Sequence, residues 1–135
     1  MSLRTKTYRN GVKVSERHGA GEWLQERISS LILIPLTFWG LWSGWALSGA
    51  GYDGALDWFR SPVNAVLLAL TLLISLWHMN MGAKVIIDDY IHRPASRNAL
   101  VGLIGLLCLV LAAAGVFFIV RLALGSAPLP AGFGA

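Results

Sequence analysis

The sequence predicts an all-α integral membrane protein with three transmembrane helices. Of its 135 residues, 56% are hydrophobic and only 13% are charged, which leaves too little polar surface to cover a water-soluble globule of this size. Three stretches, residues 28–51, 61–83 and 98–120, contain no charged side chain, and each exceeds the roughly 20 residues that a helix needs to cross a bilayer. They lack the alternating polarity of barrel strands, so helices are the structures that satisfy their backbone amides in lipid.

The chain is expected to consist of a polar N-terminal arm, a helical domain and a flexible tail. The arm covers residues 1–27, the helical domain 28–124 and the tail 125–135. The three helices are expected at about 28–50, 61–88 and 97–123. The arm contains half of the charged residues and is predicted to close in a short interfacial helix near residues 21–27. The tail is rich in proline and small residues, which is typical of an unstructured end.

Several residues within the spans predict local packing features. Pro35 lacks an amide donor and is expected to kink or loosen the first helix. Gly102, Gly105 and Gly115 lie in the third helix, where small residues permit close helix approach. The single cysteine, Cys108, lies in an apolar run and is expected to serve packing rather than a disulfide.

Charge placement predicts the orientation, with the N-terminus inside and the C-terminus outside. Nine of the eleven Lys and Arg residues lie before the first helix or around the connection between the second and third. These are Arg4, Lys6, Arg9, Lys13, Arg17, Arg27, Lys84, Arg93 and Arg97, against Arg60 and Arg121 on the other side. Because basic residues concentrate on the cytoplasmic side, the N-terminus and the loop between the second and third helices are predicted to face the cytoplasm. The expected location is the bacterial cytoplasmic (inner) membrane, as a multi-pass protein.

The net charge of +4 therefore reflects topology and does not indicate nucleic-acid binding, because no basic groove with interleaved aromatic residues accompanies it. Tryptophan placement agrees with the orientation. Trp39, Trp42 and Trp45 lie in the later half of the first helix and Trp58 lies just before the second. Indole rings at such positions are typical anchors at the membrane surface, here the outer one.

His78 is the residue in the spans that most strongly suggests chemistry. It lies eleven residues before Asp89, which corresponds to about 16 Å of helix rise and places the two side chains on the same stripe. An ionisable side chain within the membrane is a candidate functional residue, and a neutral imidazole in apolar surroundings is suited to haem iron. Gly82, one turn later, would leave room for a flat macrocycle. The alternative is that His78 only forms a hydrogen bond between packed helices.

A second polar group is expected at the inner membrane boundary. Arg27 begins the first helix, and Asp88, Asp89 and Tyr90 end the second, so we expect them at one depth. A phenol hydroxyl with a nearby carboxylate can donate to a quinone carbonyl and relay a proton, and a guanidinium can hold an anionic group such as a haem propionate. The alternative is ordinary charge placement at helix ends, with the acids offset by Lys84 and Arg93.

The sequence contains no glycine-rich phosphate loop, no Cys/His metal cluster and no nucleophile signature. A self-contained catalytic site is therefore not expected.

These motifs resemble a known family. The sequence Arg27-Ile-Ser-Ser, the run His78-Met-Asn-Met-Gly82 and the sequence Asp88-Asp89-Tyr90 are similar to those of the small hydrophobic membrane-anchor subunit of succinate dehydrogenase. That subunit is the D subunit of respiratory complex II. The resemblance covers the helical part, from about residue 20 to 124.

The resemblance implies a cytochrome b-type subunit of a heterotetramer that links the tricarboxylic acid cycle to respiratory electron transport. Its expected partners are a flavoprotein subunit that oxidises succinate, an iron–sulfur subunit and a large cytochrome b anchor subunit, all associated with membrane lipid. His78 would be an axial ligand of haem b, a metal-binding role, with the other ligand supplied by the sister anchor. Arg27 would lie near a haem propionate and the quinone pocket, and Tyr90 with Asp89 beside the ubiquinone head group.

Two other functions remain open from the sequence. A fumarate reductase that uses menaquinone would have a similar anchor. A non-catalytic structural membrane protein would use His78 only for packing.

Overall fold

The computed structural model describes residues 8–9, 12–13 and 19–125, and most of these residues form four α-helices. The helices are α1 (Gly19–Ser48), α2 (Gly51–Arg60), α3 (Pro62–Tyr90) and α4 (Pro94–Ala123). Within the arm, β1 (Tyr8–Arg9) and β2 (Val12–Lys13) form a two-residue antiparallel pairing. The all-α class with three long apolar helices is thus confirmed. The predicted tail, apart from its first residue, and most of the predicted arm lie outside the described residues.

Helix α1 begins earlier than the sequence suggests. Residues 21–27 do not form a separate interfacial helix, because they are the first turns of the continuous helix Gly19–Ser48. Glu22 lies in the first turn, where a carboxylate interacts favourably with the positive end of the helix dipole. The helix continues through Pro35 without interruption. The polar start of α1 therefore extends the membrane helix beyond the apolar span.

Helix α2 is an element that the sequence analysis did not predict. It is a ten-residue amphipathic helix between α1 and α3. Gly51 has a φ of +66°, a left-handed conformation that glycine adopts without steric strain, and this allows the chain to turn after α1. Trp58 of α2 stacks on Trp39 of α1 with ring centroids 5.8 Å apart. Two of the predicted interfacial tryptophans thus join α2 to α1.

Prolines mark the starts of the two other long helices. Pro62 is the first residue of α3 and Pro94 the first residue of α4, a position where the missing amide proton removes no helical hydrogen bond. Residues 91–93 connect the two helices. We call the end of the bundle that contains this connection, together with the start of α1, the turn end. The opposite end, which contains α2, is called the α2 end.

Helix α3 is the centre of the bundle. It packs against α1 on one side and α4 on another, whereas the backbones of α1 and α4 do not approach each other within the described residues. Helix α2 contacts all three long helices. At Gly115 of α4, an added Cβ would overlap the side chain of Leu72 in α3. Gly115 thus permits close packing as predicted, while a Cβ at Gly102 or Gly105 would meet open space.

The chain buries few of its own side chains. In the described part, the buried residues are Ser29, Leu36, Ser43, Ala65, Ile87, Cys108 and Ile119. The packing role predicted for Cys108 is consistent with its burial. Three helices are long and apolar enough to cross a membrane, and their large apolar side chains are mostly exposed. Lipid or other protein chains must therefore cover these surfaces, because exposed apolar area of this extent is unfavourable in water.

Candidate functional site

His78 of α3 contacts Ser29 of α1 across the helix interface. The Ser29 hydroxyl oxygen lies 2.9 Å from Nδ1 of the imidazole ring. Ser29 is 0% exposed and is the most deeply buried side chain in the described part, while His78 is half-buried. The intramembrane histidine is therefore attached to α1 through one of its two ring nitrogens.

The hydrogen bonds of Ser29 determine which ring nitrogen of the neutral imidazole carries the proton. The hydroxyl also lies 2.9 Å from the backbone carbonyl oxygen of Glu26, to which it donates. A serine hydroxyl has one proton, so after this donation its oxygen can only accept from His78. Nδ1 therefore carries the ring proton, and Nε2 has the free lone pair.

Nε2 of His78 is open to the surroundings of the chain. It forms no hydrogen bond within the described residues, and in that part no buried side-chain nitrogen or oxygen lacks a hydrogen-bond partner. Nε2 therefore keeps some exposed surface in the described part of the chain. An unprotonated imidazole nitrogen that is not fully buried has the donor chemistry that a transition metal or haem iron requires.

The surface one turn beyond His78 is unobstructed. A Cβ added at Gly82 would have no neighbouring atom within 4 Å. Thr71 and Ser75, which lie on the same stripe, are half-buried, and the Thr71 hydroxyl donates to the carbonyl of Leu67 in its own helix. The face that contains His78 thus has small side chains, and the Thr71 hydroxyl is engaged within its own helix. Together with the open Nε2, this surface fits a flat group that is ligated by the histidine.

Two contacts between α1 and α3 show which residues share a level in the bundle. Ser29 lies opposite His78, and Glu22 lies opposite Lys84, with 2.5 Å between Glu22 Oε1 and Lys84 Nζ. Arg27, two residues before Ser29, is therefore close to the level of His78. Tyr90 lies twelve residues beyond His78, so about 15 Å of helix rise separates it from the level of Arg27. The structure does not bring Arg27 to the depth of Tyr90, contrary to the expectation from sequence.

The two aspartates at the end of α3 have different surroundings. Asp88 forms an ion pair with Arg97 of α4, a cation that the sequence interpretation did not pair with it. Asp89 is exposed and has no ion pair within the described residues. The Asp88–Arg97 pair joins α3 to α4 across the short connection. It leaves the neighbouring Asp89 carboxylate accessible.

Tyr90 and Arg27 also face away from the chain's own core. Tyr90 is the last residue of α3 and is 77% exposed. The Arg27 guanidinium carbon lies 5.1 Å from the centre of the Trp23 ring, a cation–π geometry that leaves its N–H donors available. The functional groups predicted at this end are thus presented outwards.

A cleft of about 420 Å³ lies between α1 and α3 near the turn end. Its lining includes the ion-paired Glu22 and Lys84, together with Trp23, Asn80 and Asp88. None of the predicted site residues His78, Arg27, Asp89 and Tyr90 lines it. This cleft could not be predicted from the sequence, because its lining residues come from two helices that are far apart in the chain.

Comparison with known proteins identifies the family of this chain. The family model described as the succinate dehydrogenase/fumarate reductase transmembrane subunit matches residues 1–123. The chain belongs to this family. The resemblance inferred from the Arg27, His78 and Tyr90 motifs is therefore confirmed.

Relatives within the succinate dehydrogenase/fumarate reductase family match most of the chain. The succinate dehydrogenase hydrophobic membrane anchor subunit of Rickettsia typhi is 32% identical over 96 residues, which cover 71% of this chain and 77% of the relative. That of Rickettsia felis is 32% identical over 104 residues, or 76% and 85%. The succinate dehydrogenase membrane anchor subunit of Reclinomonas americana is 25% identical over 87 residues, or 62% and 72%. No solved structure gives a significant match.

The residue that sequence reasoning did not assign is Ser29. It belongs to the Arg-Ile-Ser-Ser motif, but neither of the adjacent serines is distinguished by its type. Both hydroxyls donate to the Glu26 carbonyl, and only Ser29 also reaches His78. A polar residue in an apolar span was the available signal, and its partner depended on how α1 and α3 pack.

Proposed function

We propose that this chain is the small membrane-anchor subunit of a succinate:ubiquinone oxidoreductase. In this role it would hold haem b jointly with a sister anchor subunit and form part of the site where ubiquinone is reduced. Membership in the family and the relatives named as succinate dehydrogenase anchor subunits support the assignment. The single structural observation that carries the haem role is His78, whose Nδ1 is bonded to Ser29 while Nε2 is free.

His78 would supply one axial nitrogen to the haem iron through Nε2. Haem b, when bound, would accept and release single electrons. Gly82 leaves an open surface beside the imidazole, and Arg27, close to the level of His78, can pair with a propionate carboxylate. His18 and His92 lie outside the predicted spans, so a second histidine ligand of the iron would come from the sister anchor.

Tyr90 and Asp89 would contribute to the quinone site at the turn end. The exposed phenol can donate a hydrogen bond to a quinone carbonyl, and the adjacent carboxylate can relay a proton to the reduced oxygen. Asp89 is favoured over Asp88 because Asp88 is paired with Arg97. Arg27 would lie on the haem side of this pocket. The remaining walls would be formed by the iron–sulfur subunit and the sister anchor.

The proposed orientation puts the turn end in the cytoplasm of a bacterium. The start of α1, the end of α3 and the start of α4 meet there, and they include Arg27, Lys84, Arg93 and Arg97. The α2 end has Arg60 and Arg121. This asymmetry supports a cytoplasmic turn end in the inner membrane. A quinone bound there would lie close to soluble flavoprotein and iron–sulfur subunits.

The enzymatic role is that of a non-autonomous subunit. Succinate would be oxidised to fumarate in the flavoprotein subunit, and electrons would pass through the iron–sulfur subunit to the quinone. The residues of this chain would position the quinone and donate to it, while the apolar helices attach the complex to the membrane. The assembly would connect the tricarboxylic acid cycle to the respiratory chain.

A fumarate reductase anchor that uses menaquinone is the second candidate, and the family description includes that class. The curated relatives are named as succinate dehydrogenase subunits, which favours succinate oxidation. A structural protein without a cofactor would not need an accessible imidazole nitrogen.

The test is purification of the complex from the native membrane with an affinity tag on this chain. We expect flavin, iron–sulfur and second anchor subunits to co-purify and a reduced-minus-oxidised spectrum to show haem b. The variant His78→Ala should lose this spectrum while the complex still contains this chain. A colourless preparation of this chain alone, or an unchanged spectrum in His78→Ala, would contradict the proposal.

A further inference from the structure

A hydrogen bond between Ser29 and His78 joins α1 to the imidazole ring. The Ser29 hydroxyl donates to the Glu26 carbonyl and lies 2.9 Å from His78 Nδ1. Burial of a hydroxyl without partners is unfavourable, and Ser29 is 0% exposed. The Glu26 carbonyl and the imidazole are thus the two hydrogen-bond partners of this buried hydroxyl. One of those partners is the ring that the proposed function assigns to haem iron.

We propose that Ser29 is a positioning residue for His78, and this proposal rests on the proposed role of His78 as a haem ligand. By accepting a hydrogen bond from the Nδ1–H group, the Ser29 oxygen keeps the ring in the tautomer whose lone pair is on Nε2. The same bond limits rotation of the ring about its bond to Cβ, because a rotated ring would leave a buried N–H without an acceptor. The direction of Nε2 is thus determined by a residue on a different helix.

The hydroxyl also determines the strength of the ligand. A metal-bound histidine usually donates its second N–H to a neighbouring group, and loss of that group typically weakens metal binding by about 10- to 100-fold. A serine oxygen is a neutral acceptor, so it increases the electron donation of the imidazole less than a carboxylate would. Without any acceptor, the imidazole becomes a poorer donor and stabilises ferric iron less. Loss of the Ser29 hydroxyl should therefore raise the haem reduction potential.

Ser30 provides a matched control on the same turn of α1. Its hydroxyl donates to the Glu26 carbonyl at 2.7 Å, as that of Ser29 does at 2.9 Å. It forms no hydrogen bond with His78 within the described residues. Replacement of either serine by alanine removes the same atoms and a hydrogen bond to the same carbonyl. Only the Ser29 substitution removes the acceptor of the imidazole.

The experiment compares the complete purified complex with Ser29→Ala, Ser30→Ala and Ser29→Thr variants. Haem affinity is measured by transfer of haem to excess apomyoglobin, and the ligand field by the low-temperature electron paramagnetic resonance spectrum and a redox titration of the haem. We expect Ser29→Ala to bind haem about 10- to 100-fold less tightly, with a shifted resonance and a raised potential. Ser30→Ala should match the unmodified complex, and Ser29→Thr should restore the spectrum because threonine retains the hydroxyl.

The results separate this inference from the proposed function. If His78→Ala retains the haem spectrum, the proposed function fails, and the inference fails with it. If His78→Ala loses haem while Ser29→Ala and Ser30→Ala have the same haem affinity, resonance and potential, the positioning role alone is overturned. If the complex with Ser29→Ala does not assemble, the resonance and potential of the Ser29→Cys complex are measured instead. The cysteine sulfur fills the space of the hydroxyl but accepts hydrogen bonds weakly. A normal resonance and potential in Ser29→Cys would then overturn the proposal.

Discussion

Two regions of α3 carry the proposed chemistry, and this chain supports them in different ways. Around His78 the chain provides an internal partner, the fully buried Ser29 hydroxyl, which defines the ring nitrogen that faces outwards. At Asp89 and Tyr90 the chain provides helix-end residues that are exposed and have no partner from α1. The difference indicates that this chain organises part of the proposed haem site by itself, whereas other subunits would complete the proposed quinone site.

The largest effect is expected from Tyr90→Phe. Removal of the phenol hydroxyl eliminates a donor to the quinone oxygen on which charge develops, so ubiquinone reduction should fall by about 100-fold. Succinate oxidation with an artificial electron acceptor should be unchanged, because it does not use this site. Both rates can be measured on the same purified complex. The haem spectrum serves as the control and should not change, since Tyr90 lies far along α3 from His78.

An equal loss of both activities in Tyr90→Phe would show that the substitution damages the complex generally. A parallel loss of haem would show that the two regions are not independent, and the comparison between them would have to be abandoned.

Asp89→Asn should have the next largest effect, a fall of roughly tenfold or more in the rate of quinone reduction. The amide retains the size of the carboxylate but cannot relay a proton. Asp88→Asn is the matched control, and it should affect the rate less because that carboxylate is already paired with Arg97. Steady-state rates of the two variants decide between the adjacent acids. A greater effect of Asp88→Asn would assign the relay to the paired aspartate instead.

Gly115→Ala tests how the packing of α3 against α4 supports both regions. The added methyl group would overlap Leu72, so a rearrangement should lower stability by about 1 kcal/mol. Gly102→Ala, whose methyl group would meet open space in this chain, is the comparison. Thermal unfolding of the purified complex measures both. If Gly102→Ala lowers the unfolding temperature more than Gly115→Ala, the surface at Gly102 is covered by another subunit.

The smallest effect is expected from Glu22→Gln, which removes the ion pair with Lys84. Both side chains are substantially exposed, and ion pairs of this kind contribute about 0–1 kcal/mol. Thermal stability and the haem spectrum should therefore change little. Asp57→Asn, which removes the exposed pair with Arg60 at the α2 end, should behave similarly. If Glu22→Gln loses haem and Asp57→Asn does not, the Glu22–Lys84 pair helps to align α1 with α3 so that Ser29 lies opposite His78.

Much of the fold could be predicted from the sequence, because lipid imposes simple requirements on length and polarity. Uncharged spans of more than 20 residues predict helices, and the prolines at positions 62 and 94 agree with two of the helix starts. Helix α2 could not be predicted in this way, because its ten residues have mixed polarity and lack the long apolar run that identifies a spanning helix. The early start of α1 was missed for a related reason, since a helix can continue past the apolar region into polar sequence.

The candidate site was predictable to the level of residue types. His78, Asp89 and Tyr90 were selected because an imidazole, a carboxylate and a phenol at helical spacing suggest redox and proton chemistry. The arrangement of Arg27 could not be predicted, because its level relative to α3 depends on how two antiparallel helices are aligned. That alignment places it near His78 rather than near Tyr90.

The sequence by itself determined the class of protein, the number of long helices and the residues available for chemistry, since these follow from local composition and periodicity. Only the tertiary structure decided which of two adjacent serines contacts the imidazole, which aspartate is paired, and which nitrogen of His78 remains free. These properties depend on distances between residues that are far apart in the chain, such as the 49 positions between Ser29 and His78. Packing of α1 against α3 creates those distances, and no pattern within a single helix specifies them.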